Sequence, residues 1–142
     1  MRVGFSGFFD RINFLQVNFK QVDIVSERIP ILKSSVIFCF SVTLWIHINH
    51  GDEGLRTFLT TLSESCQYLV LETQPWKCYR TAARRAKRAN QPPFPFYDKL
   101  TIRSNVTEYI DNYLVEKCNM CQVVHLGSTD WSRDIILYKS LT

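Results

Sequence analysis

The alternation of apolar and polar positions divides the chain into short elements of two kinds. Residues 12–17 (INFLQV) and 36–40 (VIFCF) are compact apolar runs, and the second has no polar position. Runs of this length suit strands buried on both faces of a parallel sheet. Beyond a polar turn at His50, Gly51 and Asp52, the residues Leu55, Phe58, Leu59 and Leu62 recur at helical spacing. They predict an amphipathic helix over 52–66 with Asp52 as its cap. Residues 67–72 (QYLVLE) predict a further strand. Pro75 can open a helix, because its missing N–H falls where a helix has no internal acceptor anyway, and the alanine-rich stretch carries that helix to about residue 89.

Residues 91–97 (QPPFPFY) cannot form regular helix and predict a stiff loop. Asn105 and Glu108 have capping-box spacing, and Val106, Ile110 and Leu114 mark one face of a helix ending near Cys118. Strands over 122–126 and 134–138 follow, joined by a turn containing Gly127 and Asp130. The order is strand, strand, helix, strand, helix, helix, strand, strand. Such alternation predicts an α/β domain with a mostly parallel sheet and a closing antiparallel strand.

A length of 142 residues accommodates one domain with a real core. Hydrophobic residues at 46% and charged residues at 21% exclude a disordered chain. The formal charge of +4 says little as a total, but its distribution is uneven. Six basic residues lie between Lys77 and Arg88, and no acid occurs from Thr73 to Tyr97. Subtracting those six from the total of +4 leaves the rest of the chain at −2. A basic patch on a near-neutral body implies a polyanionic partner. The cysteines number five and lie in apolar or helical contexts, which fits reduced thiols inside the cell better than a disulfide framework. The longest apolar run, 35–48, is too short to span a bilayer, so no membrane partner is expected.

Two longer motifs carry more. Segment 38–52 (FCFSVTLWIHINHGD) resembles the motif that follows the fourth strand in the bicoid-interacting-protein-3 family of RNA methyltransferases. Segment 69–77 (LVLETQPWK) resembles the same family's LEPQPW motif at its fifth strand, with Thr73 standing where the family has proline. The resemblance extends from about residue 12 to 140, and His50 with the run 76–80 (WKCYR) is most similar to the RNA 5′-monophosphate branch. It implies the C-terminal part of a class I, Rossmann-like methyltransferase fold. Residues 1–11 are then an irregular N-terminus and 12–142 a partial domain. The family's first strand, its glycine-rich cofactor loop and the acidic end of its second strand would fall upstream of residue 12. Gly4 and Gly7 have neither the spacing nor the preceding strand to replace that loop. The chain is therefore expected to be a fragment or a truncated relative.

What the resemblance implies chemically is transfer of a methyl group from S-adenosyl-L-methionine to the 5′-terminal phosphate of an RNA, either transfer RNA or a small precursor. A phosphate oxygen is already anionic at neutral pH, so alignment and charge neutralisation matter more than a general base. Asn18 and Phe19 after the first strand, and Phe40 after the second, stand where the family contacts the cofactor. His47 and Asn49 lie in the family signature and are expected to shape the acceptor pocket. Gln74 and Lys77 follow the next strand and are expected to act beside them, Lys77 on the phosphate. Trp76 is expected to stack on a terminal base. Arg80, Arg84, Lys87 and Arg88 fall at i, i+4, i+7 and i+8, a single helix face without interleaved acid, which points to RNA backbone contact. Trp131 and Arg133 are candidates for the mouth of the site. No cysteine or acid joins His47, Asn49 and His50 at metal-ligand spacing, so no metal is expected. Two rival readings remain open: a non-catalytic RNA-binding remnant of the fold, and a protein-interaction module using an uncovered sheet edge. The family branch implies residence in the cytoplasm, with the nucleus also open.

Overall fold

The computed structural model describes residue 21, residues 23–26 and residues 33–142. The strand expected over 12–17 and the cofactor candidates Asn18 and Phe19 lie outside the described residues. Four strands and three helices follow in the order β1 (Ser34–Cys39), α1 (Thr43–Glu64), β2 (Cys66–Glu72), α2 (Trp76–Arg88), α3 (Val106–Glu116), β3 (Met120–Ser128) and β4 (Asp134–Ser140). A 3-10 turn, Tyr97–Lys99, closes the proline-rich loop.

The described strands form one sheet in the order β1-β2-β4-β3. β1 and β2 run parallel, with Phe38 opposite Val70, so the α1 crossover between them is a βαβ unit. β4 lies antiparallel to β2, and β3 antiparallel to β4, which supplies the closing hairpin. The α/β class and the second half of a class I methyltransferase fold are both present. β2 and β4 are the interior strands of the described sheet, and β2 is the more deeply buried: Leu69, Val70, Leu71 and Glu72 are all enclosed. The core lies between the sheet and the apolar faces of α1 and α3, with Leu55, Leu59, Ile110 and Leu114 fully enclosed. Burying each such side chain stabilises the fold by about 1.5–3 kcal/mol before entropy is counted.

Three local expectations are corrected. The helix expected to start at residue 52, after a turn at 50–52, begins at Thr43, so residues 43–50, which the sequence left between strand and turn, are the first part of α1. Leu44, His47 and Ile48 are buried at i, i+3 and i+4, a helical stripe hidden inside a run rich in β-favouring residues. α1 then kinks at Gly51, whose φ of 74° and ψ of −175° suit glycine alone. A Cβ there would also lie 2.9 Å from the Phe96 ring. The kink leaves the Ile48 carbonyl to accept from the Phe96 amide at 3.2 Å, which ties the proline-rich loop to α1.

The second correction concerns Asp52, whose carboxylate serves distant partners rather than the amides of its own helix. The third is Asn105, which does precede α3 but makes no side-chain capping bond. Pro75 sits one position earlier than expected, as the extended residue preceding α2.

Candidate functional site

A cleft of about 1050 Å³ opens where β1 and β2 end, the position at which α/β sheets bind ligands. Its walls come from four places. Ser41, Leu44 and Trp45 follow β1; Gln74, Lys77, Arg80, Arg84 and Arg85 follow β2; Phe94 comes from the proline-rich loop; Asp130, Trp131 and Arg133 come from the turn between β3 and β4. The local sequence explains the geometry. Val42 offers no side chain to cap α1, and the buried Gln74 does so from across the sheet. Its Oε1 accepts from the Leu44 amide at 3.1 Å and the Thr43 hydroxyl at 2.7 Å. A helix start of this kind needs outside acceptors for its first amides. Fixing the oxygen in this way leaves the Gln74 –NH₂ as the end available to the cleft, whose wall includes this residue.

The cationic wall is α2. Among the described residues no carboxylate forms an ion pair with Lys77, Arg80, Arg84, Arg85, Lys87 or Arg88. Lys77, Arg80 and Arg84 line the cleft, and Arg80, Arg84 and Lys87 line an adjoining recess of about 520 Å³ together with Tyr97. Arg88 is exposed at the end of α2 and lines neither. Arg85, outside the face read from the sequence, joins the cleft. The helix exposes a wider cationic arc than a single i, i+4 row, which the absence of acids over the whole segment already signalled.

Arg133 enters from the opposite end of the chain. Its Nη1 donates to Ser41 Oγ at 3.0 Å and to Glu72 Oε1 at 3.2 Å, while Ser41 Oγ donates to Glu72 Oε2 at 2.7 Å. Burial opposes the Arg133 charge, but the Glu72 carboxylate and the Cys78 side chain together more than offset it and hold the guanidinium firmly protonated. The Arg133 Nε is the one buried side-chain nitrogen or oxygen without a hydrogen-bond partner among the described residues. Leaving such a donor unpaired costs about 1–3 kcal/mol. Trp131, 67% exposed, lies with its ring centre 5.7 Å from the same guanidinium.

His47 and Trp76 are placed one layer beneath the cleft. His47 is fully buried, with Nε2 2.7 Å from Asp52 Oδ1 and Nδ1 3.1 Å from the Tyr79 hydroxyl. Burial depresses its pKa, and the partial compensation from Asp52 does not reverse this. A neutral ring donating from Nε2 and accepting from Tyr79 at Nδ1 satisfies both partners. The other Asp52 oxygen accepts from the Thr101 amide at 3.0 Å and from its hydroxyl. Burial pushes the Asp52 carboxyl up, yet the bonds from Thr101 and His47 outweigh it and hold the group at about 2.

Trp76 stacks on Tyr79 with ring centres 4.9 Å apart and on Tyr97 at 5.5 Å, with Arg103 5.4 Å from its ring centre. Expected at the acceptor, His47 and Trp76 both pack against Tyr79 and do not line the cleft. Tyr79, the buried residue of α2 that joins them, had no signal in the sequence beyond being an aromatic within a basic helix.

Asn49 and Phe40 lie elsewhere. Asn49 donates to the Trp45 carbonyl at 2.9 Å and borders a separate apolar recess with Phe38, Ile46 and His50. Phe40 is 47% exposed just past β1, beside Phe38 at 66%, with ring centres 5.9 Å apart. Gln74, Lys77, Arg80 and Arg84 are thus brought together, and His47, Asn49, Trp76 and Phe40 are not in that wall. No described helix is long and apolar enough to cross a membrane.

The described sheet, with a cationic cleft at the ends of its parallel strands, is part of an α/β domain. The model of the Bicoid-interacting protein 3 (Bin3) family matches residues 34–140, and the chain belongs to that family. It is 44% identical over 105 residues to a pre-miRNA 5′-monophosphate methyltransferase of Xenopus laevis, covering 73% of this chain and 41% of that protein. It is 43% identical over 103 residues to an RNA 5′-monophosphate methyltransferase of Homo sapiens, covering 72% of this chain and 35% of the human protein. A relative of the same name in Bos taurus is 45% identical over 103 residues, with 72% and 35% covered. The chain therefore spans well under half the length of these relatives.

Proposed function

We propose that this chain forms the acceptor side of an RNA methyltransferase that transfers a methyl group to a 5′-terminal phosphate. The observation that carries the reading is the cleft at the ends of β1 and β2. Lys77, Arg80, Arg84 and Arg85 converge there, and although Asp130 also lines the cleft, none of the four forms an ion pair among the described residues. Cations left unpaired in a concave site are matched by an anionic ligand. The names of the relatives make the 5′-monophosphate of an RNA the ligand of choice.

The chemistry asks little more of these side chains. A phosphate monoester is anionic at neutral pH, so its oxygen is a nucleophile without a general base. Lys77 and the arginines reduce the charge repulsion around it and hold it in line. The Gln74 –NH₂ can donate to the same phosphate, its oxygen being fixed at the start of α1. His47 acts through Tyr79, keeping α2 at its height and angle.

S-adenosyl-L-methionine is the proposed methyl donor; bound, it supplies a methyl group activated by a sulfonium. The exposed aromatic surface of Phe38 and Phe40 at the end of β1 fits a purine ring that needs an apolar partner. Asn18 and Phe19 are proposed as further cofactor contacts on the family resemblance alone. Cytoplasmic residence belongs to the same reading.

The reading is tested with the 142-residue chain and a methyl-tritiated donor, on RNAs of one sequence bearing either a 5′-phosphate or a 5′-hydroxyl. Label confined to the phosphorylated RNA supports it. Label on both RNAs equally contradicts the assignment of the phosphate as acceptor.

A further inference from the structure

The cations of α2 reach the cleft on long, flexible stems, and each loses rotamer freedom when it binds. Arg133 differs: its Nη1 is already held by Glu72 and Ser41, and its side chain is fixed at the cleft wall before any ligand arrives. A guanidinium carries five N–H donors in a rigid fork. Nη1 serves Ser41 and Glu72 and the Cys78 side chain lies beside the guanidinium, whereas Nε is buried without a hydrogen-bond partner among the described residues. Nε and Nη2 together form one edge of the fork, the kind of edge that grips two oxygens of a phosphate at once. The buried carboxylate of Glu72, with the Ser41 hydroxyl on its other oxygen, sets which edge is left over. Trp131 adds an exposed ring beside the same guanidinium.

Resting on the reading of the cleft as the RNA 5′ end site, we propose that Arg133 is the bidentate anchor of the terminal phosphate. Glu72 and Ser41 are its positioning residues. The division of labour is then defined: the α2 cations supply a positive field that any stretch of RNA backbone can use, and Arg133 supplies the geometry that recognises a terminal phosphate. A 5′-hydroxyl end offers Arg133 nothing to grip, so discrimination between the two ends belongs to this residue and not to the basic helix.

The test is equilibrium binding of short 3′-fluorescein RNAs, 5′-phosphorylated or 5′-hydroxyl, to the full 142-residue chain. Replacing Arg133 alone would strand the buried Glu72 charge, so the main variant is the pair Arg133→Gln with Glu72→Gln, which removes both charges together. The wild type is expected to favour the phosphorylated RNA. The double variant is expected to lose about tenfold in affinity for that RNA, the worth of a charged bidentate contact, and to keep its affinity for the hydroxyl RNA. Arg133→Lys leaves a cation on Glu72 but removes the fork, and the same collapse of preference is expected; it decides the matter if the double variant fails to fold.

A preference that survives in either folded variant overturns the proposal. It does so while leaving the wider reading intact, provided that charge reversal at Arg80 and Arg84 still weakens both RNAs. A wild type that binds no RNA, or binds both ends equally, overturns the reading of the cleft and the proposal with it.

Discussion

Two sets of arginines in this chain have opposite surroundings. Arg56 donates from Nε to the Tyr109 hydroxyl at 2.7 Å and from Nη1 to Glu53 at 3.0 Å. Arg103 donates to the carbonyls of Leu100, Tyr97 and Asp98 and covers the Trp76 ring. Both guanidiniums join elements of the fold. Arg80, Arg84 and Arg85 stand on a helix without acids, and the one hydrogen bond among their side chains runs from Arg84 to Thr81 at 3.3 Å. The contrast separates charges used for folding from charges kept for a ligand. The same division runs through the layer below, where Tyr79, His47, Asp52 and Thr101 form a closed chain of hydrogen bonds beneath an open cationic wall.

Breaking the closed chain has the largest expected effect. Asp52→Ala removes the acceptor for the buried His47 ring and for Thr101, and an orphaned buried network of this kind costs about 3 kcal/mol. Urea denaturation reads it directly, and a loss below about 1 kcal/mol would show that the network is not holding α1 to the 97–102 segment. Gly51→Ala comes next, at about 1–3 kcal/mol from the backbone region it must occupy, with the Phe96 contact added. The same titration measures it, and a neutral outcome would mean that the kink relaxes.

The open wall behaves in the opposite way. Charge reversal of Arg80 and Arg84 together is expected to change stability by no more than about 0.5 kcal/mol. It should lower RNA affinity tenfold or more and reduce the dependence of log affinity on log salt by about two. Loss of folding with RNA affinity unchanged would invert the comparison.

A smaller effect comes from pH. His47 titrates below its ordinary 6.5 in the folded chain and Asp52 at about 2 rather than 3.8. In both cases the unfolded chain takes up the proton first, so stability is full above about pH 6.5 and falls with pH, first through His47 and then through Asp52 below about pH 4. Melting temperature against pH measures this, and the His47→Gln variant should lose the upper part of the slope.

Much of this was legible in the sequence, because the informative elements were local. Apolar runs marked β1 and β2, the 3.6 spacing of Leu55 to Leu62 marked the second part of α1, and an acid-free stretch marked the cationic wall. What the sequence hid was what depends on distant partners. The sequence predicts the helix only from residue 52 because the capping acceptor for its true first turn is Gln74, which is remote in the chain. His47 and Trp76 read as ligand contacts because polar and aromatic residues in a motif look alike whether they touch a ligand or hold up those that do. Arg133 gave only a weak signal, since its meaning rests on Ser41 and Glu72, both far from it in sequence.

The most direct test follows the arginine side chains themselves. In nuclear magnetic resonance spectra of the guanidinium Nε–H groups, 5′-phosphorylated RNA titrated into the chain should shift and sharpen the signals of Arg80, Arg84, Arg85 and Arg133 and leave those of Arg56 and Arg103 in place. Shifts distributed equally over both sets, or confined to Arg56 and Arg103, would contradict the claim that the cations lining the cleft mark where the RNA end sits.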